Sequence, residues 1–368
     1  MTWFRLGGRA RYLFRPRDVH DLQRFTRRAA DAGISFRVLG AGANVLIGDA
    51  GYDGAVIRLD QPGFRLITQI RGSISSRPEV SRQSESASPA TQDRFDGNTV
   101  TAIRSHASTN PDGTNGAGQR GKAVTTGMAT ASNIPGARSA ETITQLYGAA
   151  GEHRTDRVEG TTLQDDVLLE LGAGTDLMPL TRQVSQKGLS GMEGLAGIPA
   201  TIGGAVTMNA GGRYGSMSDV VRAATVMTRT GALETWTAEE LRFGYRTSAI
   251  GEEIVVSATV GLRQGNPQEV LPYYESCFAA KERGQPLKQK SAGCIFKNPT
   301  DEPAGALIDR LGLKESRYGG AMVSPVHANF IVTDSDATAT DVIRLIDFVR
   351  ARVAEETGTW LETEVDIW

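Results

Sequence analysis

Cysteine is scarce in this chain: 368 residues include two, Cys277 and Cys294. Two thiols without a spacing motif exclude a disulfide framework and a cysteine-based zinc site. The four histidines, His20, His106, His153 and His327, lie far apart, and none has the spacing of a metal ligand set. Charge of one sign is also missing. Forty basic residues face 42 acidic ones, for a net charge of −2, so nothing draws the chain electrostatically to nucleic acid or an anionic membrane. No stretch approaches the roughly 20 apolar residues of a membrane-spanning helix. Met1-Thr2-Trp3-Phe4-Arg5 lacks the apolar run of a signal peptide. The expectation is a cytoplasmic protein with no membrane insertion and no nucleic-acid partner.

Apolar residues make up 39% and charged residues 22%, which suits a folded protein long enough for two or three modest domains. The excess is in glycine, with 43 residues concentrated in particular loops. Three segments read as folded. In the first, Ala10-Arg11-Tyr12-Leu13-Phe14 has strand character. Asp18 can cap a helix that carries Val19, Leu22, Phe25 and Ala29 on one face and closes at Gly33. Strands follow at Phe36–Leu39 and Ala55–Leu59. From about 68 to 164 the chain is polar, aperiodic and rich in turn formers. Such composition buries too little apolar surface to offset chain entropy and reads as a disordered insertion. Order resumes with a strand at Val167–Leu171 and short strands to about Leu262. The last segment ends in a helix from about Asp341 to Glu356, whose Val342, Leu345, Ile346, Val349 and Val353 form an apolar stripe for the core.

Two glycine-rich loops carry the chemical information. The first, Gly40-Ala41-Gly42-Ala43-Asn44-Val45-Leu46, follows a strand. Val45 stands where a nicotinamide-binding G-x-G-x-x-G needs its third glycine, and the residues that follow read as strand and turn. A Rossmann domain is therefore not expected. Small residues in succession let backbone N–H groups surround an anion such as a diphosphate, though on this loop alone a plain tight turn fits as well. The second loop, Gly188 to Gly212, is too long and glycine-dense for a simple connection. Gly197-Ile198-Pro199 and Gly203-Gly204-Ala205 place bare backbone at a surface that could pack on a flat ring.

Together these loops resemble the FAD-binding domain of the vanillyl-alcohol-oxidase type, and in particular the UDP-N-acetylenolpyruvoylglucosamine reductase family. Three further motifs are similar to that family: Phe243-Gly244-Tyr245-Arg246-Thr247-Ser248; Arg283-Gly284-Gln285-Pro286 followed by Ser291-Ala292-Gly293-Cys294-Ile295-Phe296-Lys297-Asn298-Pro299; and Leu361-Glu362-Thr363-Glu364-Val365. The resemblance covers roughly residues 4–67 and 165–365. It implies an α+β fold, with FAD-binding subdomains at 1–67 and 165–265, the insertion at 68–164 between them, and a substrate-binding domain at 266–368. It also implies non-covalent FAD, NADPH as reductant, and UDP-N-acetylglucosamine enolpyruvate as substrate, in peptidoglycan precursor synthesis by a monomer. Gly40, Ala41, Gly42, Ala43, Asn44, Val45 and Leu46, with Gly197, Ile198, Pro199, Gly203, Gly204 and Ala205, would then hold the cofactor.

By the same resemblance Arg246, Cys294 and Glu364 are the catalytic residues, and Tyr245, Arg283, Gln285, Lys297 and Asn298 bind substrate. A guanidinium can fork onto a carboxylate and stabilise an enolate as it forms. Cys294 occupies a proton-donor position where the family commonly has serine, and a thiol is the better acid. Glu364 either carries a proton or orients Arg246 or a water. Two residues on, Asp366 stands where the family usually has arginine. The competing reading is a flavin-binding paralogue that has lost catalysis and acts as a binding or regulatory protein; absence of Arg246 or Glu364 from the site would favour it.

Overall fold

The structure is a computed structural model, and it describes residues 2–70, 101–102 and 167–368. Apart from 68–70 and 101–102, the expected insertion at 68–164 lies outside the described residues.

The amino-terminal part starts with the strand Ala10–Phe14 and the helix Val19–Asp31. Asp18 caps that helix as its sequence position dictates: its carboxylate accepts from the Asp21 N–H at 2.8 Å, pairing one of the otherwise unbonded first-turn donors. The apolar face packs inward, with Leu22 and Ala29 buried and the Phe25 ring stacked on Phe14 at 4.3 Å. Gly33, at φ +63°, turns the chain out of the helix. The strand Phe36–Val38 then lies parallel to Tyr52–Ile57, which is parallel in turn to Ala10–Phe14. The backbone at Thr101–Ala102 adds an antiparallel edge.

A second sheet is antiparallel, with Ile254–Gln264 at its centre. One side of that strand pairs with Val221–Met227, which carries Leu233–Thr237; the other pairs with Val167–Gly172, which carries Ile67–Ile70. Ile67–Ile70 therefore crosses the sequence boundary expected at residue 67, and it belongs to the second sheet. Its pairing partner, not its own pattern, places it there: its side chains are mostly exposed. The long stretch from 188 to 212 also contains more regular structure than its glycines suggested, with a single 3₁₀ turn at Glu193–Leu195 and a short helix at Ile202–Thr207. One continuous core spans both sheets, from Phe14, Leu22 and Ile57 to Leu171, Ile202 and Val260.

The carboxy-terminal part has the helix Pro267–Gly284, a short helix Ala304–Arg310, the three-stranded sheet Arg317–Tyr318, Ala321–Val323 and Ile331–Thr333, and the helix Ala339–Thr357. This last helix buries the expected stripe. It is sharply bounded by a Thr338–Asp341 capping box and by Gly358 in the left-handed conformation. Its core also takes in Phe4 and Leu46 from the far end of the chain, beside Leu361 and Val365. Among the described residues no helix is long and apolar enough to cross a membrane.

Leu171, on the strand Val167–Gly172 of the second sheet, has no exposed surface. Leu171→Ala should lower the unfolding free energy in urea by about 2–5 kcal/mol, from lost transfer energy and the cavity left behind.

Candidate active site

Three chain segments that are distant in sequence meet at one point. The first is the turn Gly244–Thr247, closed by the Gly244 N–H to Thr247 carbonyl bond at 3.0 Å. Asn209 braces it by donating to the Gly244 carbonyl, and Ser248 by donating to the Thr207 carbonyl. Within this turn Arg246 has φ +56°. That left-handed conformation disfavours a residue with a side chain by about 1–2 kcal/mol, and the surrounding bonds hold it.

The second segment is Ser291–Pro299. Cys294 bridges to Phe330, Phe296 bridges to Thr363, and Asn329 clasps Phe296 from both sides of its peptide. The third is the tail. The Glu364 N–H donates to the Ile295 carbonyl at 2.7 Å, which sets Glu364 next to Cys294. Further along, Asp366–Ile367 runs parallel to Val45–Leu46, so the tail is paired to the first glycine loop. Asn44 completes this junction: its side-chain amide donates to the Glu364 carbonyl at 2.9 Å, and its own carbonyl accepts from the Asp366 N–H at 3.0 Å.

Where these segments meet, Arg246 Nε donates to Glu364 Oε1 at 2.6 Å, with the two side chains only 19% and 11% exposed. Burial raises the Glu364 carboxyl above its ordinary range, against the opposing pull of Arg246 and, more weakly, Lys297. Burial likewise pushes the Cys294 thiol up to about 12; the neighbouring Glu364 adds to the rise and Arg246 opposes it. Cys294 is therefore a protonated thiol at neutral pH. It lines a cavity of ≈ 310 Å³ together with Asn298, Asp309, Lys314, His327 and Asn329. His327 accepts the Asn329 N–H on Nδ1, which puts the proton of the neutral ring on Nε2, and burial holds its pKa down.

The two glycine loops also meet. A Cβ on Gly40 would come within 2.6 Å of Thr201 Oγ1, and the same oxygen is 3.7 Å from a Cβ on exposed Gly204. The Thr201 hydroxyl thus lies beside glycines of both loops, so the two loops approach each other closely, and small residues in succession there suit a phosphate-bearing cofactor.

Residues 285–368 match the family model of the UDP-N-acetylenolpyruvoylglucosamine reductase C-terminal domain, and residues 154–237 match that of an FAD binding domain. A protein named UDP-N-acetylenolpyruvoylglucosamine reductase from Thermus thermophilus is 44% identical over 216 residues, 58% of this chain and 78% of that one. One of the same name from Anoxybacillus flavithermus is 40% identical, over 55% of this chain and 68% of its own length. The crystal structure of the reductase from Thermus caldophilus superposes with a TM-score of 0.62 at 31% identity, covering 97% of this chain and 91% of that one. The chain belongs to the UDP-N-acetylenolpyruvoylglucosamine reductase family.

Against this family's expected site, the structure gathers Arg246, Cys294 and Glu364, with Lys297 close enough to act on Glu364 and Asn298 on the cavity wall. The Asn298 N–H donates to the Tyr245 hydroxyl at 3.2 Å, joining the Arg246 turn to the Cys294 segment. Among the described residues, no hydrogen bond or ion pair links Arg283 or Gln285 to this cluster. In the first loop, the Leu46 side chain is wholly buried in the carboxy-terminal core and faces no ligand, and the Asn44 amide is engaged by the tail.

Lys281 escaped the sequence reading. Its ammonium donates to the Ala196 carbonyl at 2.6 Å and the Gly194 carbonyl at 3.1 Å, tying the helix Pro267–Gly284 to the second glycine loop. Burial lowers its pKa to about 8. The signal was present: Val270, Tyr274, Cys277 and Lys281 follow one another at spacings of four, three and four, a lysine on an otherwise buried stripe.

The coupling between Cys294 and its neighbours is directly measurable. Alkylation of Cys294 by iodoacetamide, followed by peptide mass spectrometry, should be slow at pH 8 and rise steeply only in strongly alkaline solution, because the thiolate is the nucleophile. Glu364→Gln removes a charge that opposes the thiolate and frees Arg246 to favour it, so the rate at pH 9 should increase.

Proposed function

We propose that the chain reduces the enolpyruvyl group of UDP-N-acetylglucosamine enolpyruvate to the lactyl ether of UDP-N-acetylmuramate, with NADPH as reductant and FAD as relay. The observation that carries this reading is the buried Arg246–Glu364 ion pair beside a protonated Cys294, on a tail paired to the first glycine loop. FAD fits the cradle between the loops. Backbone at Gly40–Val45, Gly197–Pro199 and Gly203–Ala205 would hold it, with Lys281 bracing the second loop. A flavin held by these residues would supply the hydride-transfer chemistry between NADPH and the terminal vinyl carbon that no side chain can provide.

The remaining work falls to the protein. Glu364 occupies the Nε edge of the Arg246 guanidinium, which leaves the two Nη groups to fork onto the substrate carboxylate. On reduction of the vinyl group, negative charge would spread from the neighbouring carbon into that carboxylate, where the largely covered Arg246 guanidinium would stabilise it. Cys294 then gives its thiol proton to that carbon. The thiolate left behind is favoured by Arg246, and a proton from solvent restores it. A pKa of about 12 suits this order: the thiol keeps its proton until a strongly basic carbanion demands it. Glu364 acts by orienting Arg246 through the 2.6 Å bond to its Nε. In the cavity beyond Cys294, Lys314 is paired with Asp309 at 2.7 Å, and Asn298 and the His327 Nε2–H offer polar groups to the nucleotide sugar. Lys297, paired with exposed Glu362 at 3.3 Å, is available at the rim. A non-catalytic flavin-binding role finds no support in this arrangement, since Arg246 and Glu364 are held together in the site.

Anaerobic reduction of the flavin-loaded protein by NADPH should bleach the flavin absorbance, with recovery only on adding the enolpyruvyl sugar. Arg246→Ala should retain flavin and its bleaching yet lose turnover by ~10²–10³-fold, the range for removing a charge stabiliser. Full turnover in that variant would remove Arg246 from the mechanism. Cys294→Ala should also retain bleaching, while Cys294→Ser should recover part of the lost turnover.

A further inference from the structure

The last three residues of the described tail form a cluster that this chemistry does not use. Arg37, on the strand that leads into the first glycine loop, donates from Nη1 to both carboxylate oxygens of Asp366 at 3.1 Å. Trp368 Nε1 donates to Asp366 Oδ2 at 2.6 Å. The Arg37 guanidinium lies over the Trp368 ring at 5.2 Å, and the ring meets Tyr52 at 5.7 Å. Asp366 is thus paired with Arg37 and Trp368, while Glu364 pairs with Arg246.

We infer that Arg37 and Asp366 are a positioning pair: they latch the tail onto the strand Phe36–Val38, and so hold Glu364 in register with Arg246. Glu364 is bracketed along the chain. Before it, Phe296 and Ile295 fix the backbone through the Thr363 bridge and the Glu364 N–H. After it, Val365 is buried in the carboxy-terminal core, and beyond Val365 the chain is held by the two-residue pairing with Val45–Leu46, the Asn44 bonds, the Gly48 N–H to Trp368 carbonyl bond at 2.8 Å and this latch. A two-residue strand pair is weak on its own. Loosening the latch therefore frees the Glu364 carbonyl from Asn44 and lets the carboxylate drift from Arg246. Because Asn44 belongs to the first glycine loop, the same latch ties that loop to the acid–base cluster.

The link to turnover rests on the proposed function, so the test pairs turnover with readouts that need no substrate. Arg37→Asp and Asp366→Arg each put like charges face to face, and the double variant restores an opposite pair. Each single variant should lower kcat per bound flavin by roughly three- to tenfold, the size expected from an exposed but networked pair. Each should also speed amide hydrogen exchange at 364–368 and iodoacetamide alkylation of Cys294 at pH 9, because Glu364 no longer opposes the thiolate. The double variant should return all three to within about twofold of wild type. Single variants with wild-type exchange and wild-type alkylation would overturn the latch, as would a double variant no better than its parents. Should exchange and alkylation respond as expected while the wild-type protein fails to turn over the enolpyruvyl sugar, the latch stands and the proposed substrate falls.

Discussion

The ion pair between Arg246 and Glu364 is the contact on which the site depends, and each partner reaches it at a cost. Arg246 sits in a left-handed turn that its side chain disfavours. Glu364 is buried deeply enough that its carboxyl is raised despite a guanidinium at 2.6 Å. Buried pairs of this kind add little to stability, because desolvation offsets their attraction. What such a pair supplies here is a fixed guanidinium, with one edge held and the other available, beside a thiol that retains its proton.

The fold is arranged to bring that pair together. Leu46 and Phe4 are buried in the carboxy-terminal core, so the first glycine loop is anchored in the part of the molecule that bears Cys294 and Glu364. The tail returns the connection by pairing with Val45–Leu46. Lys281 makes a second crossing, from the helix Pro267–Gly284 to the carbonyls of the second loop. The loops expected to cradle FAD are therefore not independent of the expected substrate side; three separate crossings couple them.

Much of this was legible in the linear order. The strand Ala10–Phe14 and the helix capped by Asp18 followed from periodicity and capping chemistry, which are local effects. So did the stripe and the glycine stop of the helix Ala339–Thr357. The family's motifs pointed to Arg246, Cys294 and Glu364 as residue types suited to anion stabilisation and proton transfer. The signals failed where partners are remote. The alternation of Ile67–Ile70 does not say which sheet it joins, and short helical turns within 188–212 hide behind glycine because packing overrides intrinsic propensity.

The sequence alone determined which chemical groups are available: a guanidinium, a carboxylate, a thiol and two glycine loops with few bulky side chains. It also determined the local elements that present them, since capping, periodicity and turn preference act within a few residues. Tertiary structure alone decided which carboxylate meets Arg246 and which is drawn off by Arg37, although Glu364 and Asp366 lie two residues apart. It decided the ionisation state of Cys294 and the role of Lys281 as well. Burial and charge–charge contacts set those properties, and both depend on segments remote in sequence being brought within a few ångströms.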